Sequence, residues 1–164
     1  MTNEIAGLSE MDGLCYYGFA NNVYLSSIQV GIQNAHCLMR MSSEYGFGLP
    51  QTPQGFMFRE WADNHETMIC LNGGNQASLI KIYEYFNTER NPYAWMEFRE
   101  DEQSLNNCLT CVGIILPERI YGMATMIRKD RTGDLLHIIQ AGAGNYSEWE
   151  IAMIDLLNQS NLAH

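Results

Sequence analysis

One apolar stretch near the start of the chain leads through a polar loop into a helix, and this stretch constrains the fold more than any other feature. Residues 14–20 read Leu-Cys-Tyr-Tyr-Gly-Phe-Ala and predict a buried strand. A polar loop follows over residues 21–27, and a helix is predicted from Ile28. Serines at the end of the loop can cap that helix, and its free N–H groups can bind a carboxylate or phosphate. No lysine or arginine lies between Met1 and Cys37, so this stretch itself offers a ligand no cationic side chain.

Composition indicates a globular protein. The chain has 164 residues, of which 46% are hydrophobic and 17% charged. A chain of this length and composition can form one sizeable core. No apolar run approaches the ~20 residues that span a bilayer. The first residues also lack the basic segment of a signal peptide. We therefore expect a cytoplasmic protein with no membrane partner.

The charge balance argues against nucleic-acid binding. Nine basic and nineteen acidic residues give a net charge of −10, whereas proteins that hold structured nucleic acid neutralise phosphates with lysine and arginine. The one basic cluster, residues 128–131, is interpreted as part of a solvated hairpin turn. We do not expect tRNA as a partner.

Five cysteines, an odd number, lie mostly inside apolar runs, which predicts buried free thiols. Cys108 and Cys111 have the spacing of a metal-binding or redox pair, but no second pair and no nearby histidine accompany them. No metal and no cofactor are expected.

The middle of the chain alternates between strand and helix patterns. Strands are predicted at residues 67–71, 94–98 and 109–115, and an acidic loop over residues 99–104 joins the last two. Asn75 can cap the helix between the first two strands. The apolar stripe of that helix comprises Leu79, Ile82, Tyr83 and Phe86.

A glycine- and proline-rich segment, residues 46–55, breaks the first helix. An aromatic loop is predicted after it, around Phe56 and Trp61, either pinned to the core or acting as a lid over a site.

After Pro117 the pattern indicates a hairpin, with strands at residues 121–127 and 135–140 around a turn at 130–134. A final helix begins with the capping box of Ser147 and Glu150. Its apolar face comprises Trp149, Ala152, Met153, Leu156 and Leu157. The whole order predicts an α/β or α+β sandwich, of which we favour the α/β class with a mixed β-sheet sandwiched by helices.

This order of elements resembles the type 2 peptidyl-tRNA hydrolase family, and short motifs add to the resemblance. Residues 25–36 align without a gap with a family stretch that runs from Met-Ser-Lys-Gly-Lys into Ile-Ala-Ala-Gln-Cys-Ser-His. The matches are Ser26, Gln33 and His36. Family-like patterns also occur as Leu-Ile-Lys-Ile-Tyr at residues 79–83 and Thr-Cys-Val-Gly-Ile at residues 110–114.

The resemblance implies three segments. An N-terminal arm covers residues 1–13, and a core like that of the family covers residues 14–116. The added C-terminal hairpin and helix, residues 117–164, are expected to pack on the same domain.

The family hydrolyses the ester that joins a peptide to tRNA, and the resemblance implies the residues involved. The family glutamine corresponds to Gln33, the aspartate to Asp101, and the threonine to Gln103 or Ser104. The family lysine falls on Gln29. A neutral amide stabilises a phosphate or an oxyanion far more weakly than an ammonium does, so we expect a non-catalytic protein.

The leading interpretation is a site for a small polar or nucleotide-like ligand at the N-terminus of the first helix, used to sequester a signalling nucleotide. The predicted ligand-binding residues are Asn21, Asn22, Tyr24, Ser26, Ser27, Gln29, Gln33, Asp101, Gln103 and Ser104.

Three alternatives remain open. One is a divergent peptidyl-tRNA hydrolase in which Gln33 and Asp101 are catalytic. Another is an oligomeric interaction module in which the segment after Pro117 forms the interface. A homo-oligomer is expected whichever interpretation holds. In the third, the asparagines only form a turn, Ser26 only caps the helix, and the glutamines face water.

Overall fold

The computed structural model describes residues 13–46, 48, 52–129 and 146–163. The chain divides into two compact units, one of residues 14–116 with 161–164 and one of residues 1–13 with 117–160. The first unit contains β1 (Cys15–Ala20), α1 (Ser27–Tyr45), α2 (Pro53–Asn64), β2 (Met68–Asn72), α3 (Gln76–Phe86), β3 (Trp95–Arg99), α4 (Glu102–Leu105) and β4 (Leu109–Leu116). The second contains α5 (Glu118–Lys129) and α6 (Glu148–Gln159).

The four strands form one mixed sheet in the order β2-β1-β4-β3. Strand β1 pairs in parallel with β2, while β4 runs antiparallel to both β1 and β3. The parallel pair needs a crossover connection, which α1 and α2 supply. The predicted α/β class with a mixed sheet is confirmed, and the finer likeness to the hydrolase fold stays a prediction.

Helices cover both faces of this sheet. Tyr16 packs against Trp61 of α2, with ring centroids 6.0 Å apart, and Phe19 packs against Phe86 of α3 at 5.9 Å. The two strand residues are three positions apart, so their side chains lie on opposite faces. Every residue of β1 and β4 is buried, as expected for central strands covered on both sides.

A helix occupies the position of the predicted aromatic loop, so that prediction was wrong. Pro53 begins α2, and the side chain of Thr52 accepts a hydrogen bond from the Gly55 N–H at 3.0 Å. Phe58 and Trp61 lie on the buried face of α2. Proline is favoured in a first helical turn, where its missing N–H costs nothing. The lid interpretation fails for Trp61, which belongs to the core.

The predicted hairpin is also wrong over residues 121–127, which lie in α5; its second strand falls outside the described residues. The buried residues of α5 follow a helical spacing: Ile120, Met123, Ala124 and Ile127. That stripe outweighs the weak alternation from which strands were predicted.

The capping box of α6 is confirmed, since Glu150 N–H donates to Ser147 Oγ and Ser147 N–H donates to Glu150 Oε2. Most of the predicted apolar face of α6 is at least half-buried, but Ala152 is exposed. Within the described ranges, no helix has the length and apolar character needed to cross a membrane.

Candidate functional site

A cavity of about 130 Å³ opens at the carboxyl ends of the parallel strands β1 and β2. Ligands of α/β proteins commonly bind at this edge of a sheet. Four of the described residues that line the cavity are apolar and four are uncharged polar residues. They are Ala20, Leu25, Val30 and Ala163, and Asn21, Asn22, Tyr24 and Asn72.

Asn21 fixes the loop that forms one side of this cavity. Its side chain is buried, donates to the Leu109 carbonyl at 3.0 Å, and accepts from the Val23 N–H at 3.1 Å. The second bond closes a turn in which an asparagine side chain replaces a backbone group. Because both ends of its amide are bonded inside the protein, Asn21 shapes the cavity rather than facing a ligand.

The C-terminal segment forms the opposite wall. The Asn72 N–H donates to the Asn161 carbonyl at 2.9 Å, and the Ala163 N–H donates to the Cys70 carbonyl at 3.0 Å. Leu162 makes an antiparallel bridge with Leu71. The segment therefore extends the sheet at the β2 edge and brings Ala163 to the cavity.

Three side chains can present recognition groups to the cavity. The backbone N–H of Asn22 donates to the Gly74 carbonyl at 2.8 Å, whereas its exposed side-chain amide makes no hydrogen bond with the residues that the structure describes. The Asn72 Oδ1 atom accepts a hydrogen bond from the Gly74 N–H at 2.8 Å, so the amino group of the Asn72 side chain remains available to a ligand. The ring of Tyr24 supplies an aromatic face.

A polar network connects Tyr24 to the buried face of α1. The Tyr24 hydroxyl and the Gln33 amino group both donate to Glu100 Oε1, each at 2.9 Å. Thr110 Oγ1 donates to Gln33 Oε1 at 2.7 Å. Burial and the Glu100 carboxylate raise the pKa of Tyr24 to about 12, because ionisation would place two negative charges side by side.

Gln33 lies in this network and not on an open surface. It is buried, and both ends of its amide are bonded to protein groups. The geometry therefore gives Gln33 the role of holding Glu100, whereas the sequence suggested contact with a ligand or catalysis.

Glu100 takes the position facing Gln33 that the sequence prediction gave to Asp101. Asp101 instead caps α4 and accepts from the Ser104 N–H at 2.6 Å, and this bond holds the pKa of its carboxyl below the usual value. Gln103 and Ser104 lie exposed on the same short helix. Sequence reasoning missed the roles of Glu100, Thr110 and Asn72.

The N-terminus of α1 is capped as predicted. The side chain of Ser26 accepts from the Gln29 N–H at 3.2 Å, and Ser27 and Gln29 are exposed. These three residues do not line the cavity. Of the predicted ligand-binding residues, the structure brings only Asn21, Asn22 and Tyr24 to it.

In the described part of the chain, no group of three or more histidine, cysteine or acidic side chains is placed to hold a metal ion. Cys15, Cys37 and Cys111 are buried, and Cys70 and Cys108 are half-buried. His36 stacks on Phe98 with ring centroids 4.5 Å apart.

Neither the protein-family models nor the curated proteins that were compared contain a match to this chain. The resemblance to type 2 peptidyl-tRNA hydrolases therefore stays a prediction drawn from the residues themselves.

Proposed function

We propose that this chain binds a small nucleoside-like ligand without converting it, in the cavity at the carboxyl ends of β1 and β2. On this proposal, the protein keeps a scaffold like that of the type 2 peptidyl-tRNA hydrolases and sequesters its ligand. The single observation behind the proposal is the composition of the described cavity lining. It includes one tyrosine and two asparagines whose side-chain amides are available, and it includes no charged residue.

The size of the cavity favours one ring of a ligand. A cavity of about 150 Å³ is known to accept a benzene molecule, so 130 Å³ suits one base or one sugar. Drug-sized ligands need roughly 300 Å³ or more. The remainder of a nucleotide would therefore lie outside, along the exposed loop before α1.

The chemistry of the lining favours a base. Asparagine side chains can pair with the donor and acceptor edge of a base, as they do with adenine. A tyrosine ring provides a stacking face that contributes roughly 1–3 kcal/mol per base in single-stranded nucleic-acid complexes. Asn22, Asn72 and Tyr24 supply both features.

A thermal-shift series with nucleosides tests the proposal, because a ligand that binds only the folded state raises its apparent stability. We expect at least one nucleoside to raise the Tm and to be recovered unchanged. The Asn22→Ala variant should lose most of this shift. Asn64→Ala, which removes an exposed asparagine at the end of α2, is the matched control and should keep it.

A divergent peptidyl-tRNA hydrolase remains the second candidate, and Glu100 is the observation that favours it. A carboxylate positioned by two donors can act as a general base. Release of peptide from peptidyl-tRNA, abolished by Glu100→Gln and retained by Glu102→Gln on the exposed face of α4, would support hydrolysis. Absence of release together with nucleoside binding supports sequestration.

A further inference from the structure

The side chains available at the cavity offer more hydrogen-bond donors than acceptors. The Asn72 side-chain oxygen already accepts from the Gly74 N–H at 2.8 Å, so Asn72 offers its amino group. The Asn22 side-chain amide is unbonded within the described residues and offers both an amino group and a carbonyl oxygen. Amino groups donate and amide oxygens accept. A ligand therefore meets two donating amino groups and one accepting oxygen.

The other polar groups of the described lining are already bonded inside the protein. The Asn21 amide is bonded at both ends, and the Tyr24 hydroxyl gives its proton to Glu100 at 2.9 Å. Most of the backbone N–H groups of the lining also donate within the protein. They belong to Asn21, Asn22, Tyr24, Val30, Asn72 and Ala163. Recognition of a polar ligand therefore rests on the side chains of Asn22 and Asn72.

Two donors and one acceptor match the edge of a pyrimidine base. Uracil presents two carbonyl oxygens and one ring N–H, while cytosine presents a carbonyl oxygen, a ring nitrogen and one amino group. Adenine presents only one donor and one acceptor at each edge, and guanine presents two donors with one acceptor at one edge and only acceptors at the other. Either pyrimidine can pair with all three protein groups, whereas each purine leaves at least one of them unpaired.

The size of the cavity favours the same class of base. A cavity of about 150 Å³ holds benzene, a single six-membered ring, and the cavity here is about 130 Å³. A pyrimidine is also one six-membered ring, but a purine carries a second ring fused to the first. The aliphatic side chains of the lining and the ring of Tyr24 suit the faces of one such ring.

We infer that the ligand of this cavity is a pyrimidine nucleoside, recognised through the hydrogen-bonding edge of its base. The inference rests on the proposed function, because it names the class of base that binds in the same cavity. The Asn72 amino group donates to one acceptor of the base, and the Asn22 amide pairs with the remaining donor and acceptor.

Calorimetric titration of the full chain with uridine, cytidine, adenosine and guanosine tests the inference. We expect a pyrimidine nucleoside to bind at least about tenfold more tightly than either purine nucleoside. Its 3-methyl derivative keeps the ring but blocks the edge, and it should lose about tenfold or more in affinity. A purine nucleoside that binds as tightly as the pyrimidines would overturn the inference and leave the proposed function standing. Binding of no nucleoside would overturn both.

An isosteric pair of variants tests the role of Asn72. Asn72→Asp keeps an oxygen for the Gly74 N–H and replaces the amino group with a second acceptor, so pyrimidine affinity should fall about tenfold or more. Asn75→Asp is the matched control, since it adds the same charge at an exposed residue outside the described lining. Asn75 caps α3 by accepting from the Ser78 N–H at 3.0 Å, and aspartate caps equally well.

Circular dichroism should show both variants folded, because each keeps the oxygen that its backbone partner needs. The Asn75→Asp variant should bind the pyrimidine like wild type. Unchanged pyrimidine affinity in Asn72→Asp, or an equal loss in the two variants, would contradict the inference.

Discussion

Tyr24 connects the cavity with the polar network below α1. Tyr24 lines the cavity, and its hydroxyl donates to Glu100. Gln33 bonds the same carboxylate oxygen from the buried face of α1. The hydrogen bond to Glu100 therefore orients the Tyr24 side chain before any ligand contacts its ring.

Removing only the hydroxyl of Tyr24 should change how stability depends on pH. The folded-state pKa of about 12 lies above the ordinary value of 10, so the folded protein holds this proton more tightly than the unfolded chain does. The resulting stabilisation is complete below pH 10 and is lost as the pH rises from 10 to 12. Tyr24→Phe should lack this part of the alkaline loss, and urea unfolding across that pH range measures it. In Tyr24→Phe, the pH titration of tyrosinate absorbance should also lack one transition near pH 12. A titration unchanged from wild type would contradict the assignment of this transition to Tyr24.

Gln33 should matter for stability much more than the glutamine one turn earlier. Gln33→Leu removes one buried and one partly buried hydrogen bond and leaves the Thr110 hydroxyl and the Glu100 carboxylate with fewer partners. Such losses cost about 1–3 kcal/mol in the free energy of unfolding. Gln29→Leu, at an exposed position, should change it by less than about 0.5 kcal/mol. Equal losses in the two variants, measured by urea unfolding, would argue against the network.

At the scale of single residues, the sequence predicted the region of the site but not which carboxylate faces Gln33. The resemblance to the hydrolase family pointed to Gln33 and Asp101, yet Glu100 and Asp101 are neighbours and only one of them can face Gln33. The pairing of β3 with β4 shifts register between Phe98 and Arg99. A bulge of this kind changes which side chains point inward, and no pattern in the sequence predicts it.

Two glycines on paired strands determine how closely α1 packs on the sheet. Gly18 of β1 pairs with Gly113 of β4. The ring of Tyr16 fills the space beside Gly113, and the Tyr16 hydroxyl donates to Asn34 Oδ1 at 3.1 Å. Tyr16 is fully buried, so it has no room to retreat.

A methyl group at Gly113 should therefore be costly. Its Cβ would lie 2.3 Å from the Tyr16 hydroxyl oxygen, and overpacking of this kind costs about 1–3 kcal/mol in the free energy of unfolding. Gly122→Ala is the control, since the nearest atom there is Glu118 Cγ at 3.7 Å. That change should stabilise α5 by about 0.5–1 kcal/mol, because glycine disfavours helices. Chemical unfolding of both variants measures the contrast, and a neutral Gly113→Ala would contradict this packing.

The elements that the sequence predicted well are those in which one strong signal dominates. The apolar runs gave β1 and β4, and Ser147 with Glu150 gave the start of α6. The errors at α2 and α5 arose where proline or a weak alternation suggested a loop or strand, and the predicted acidic loop contains the four-residue helix α4. In α5, burial of Ile120 and its helical neighbours overrides that local signal.

For the whole molecule, the acidic net charge and the uncharged cavity lining together predict how binding depends on the charge of the ligand and on salt. A net charge of −10 repels anionic ligands at long range, and no described residue of the cavity lining supplies a cation to offset that repulsion. A neutral nucleoside meets no such barrier. Its affinity should therefore change little with salt concentration, whereas binding through phosphate contacts weakens steeply as salt rises.

Calorimetric titration of the wild-type chain with nucleosides and their 5′-monophosphates tests the central claim most directly. We expect one nucleoside to bind at one site per chain, with its monophosphate binding no more tightly. Binding of a monophosphate more than about tenfold tighter than its nucleoside, a difference of ~1.4 kcal/mol, would contradict the claim of an uncharged site. Saturating binding of no nucleoside at all would contradict it equally.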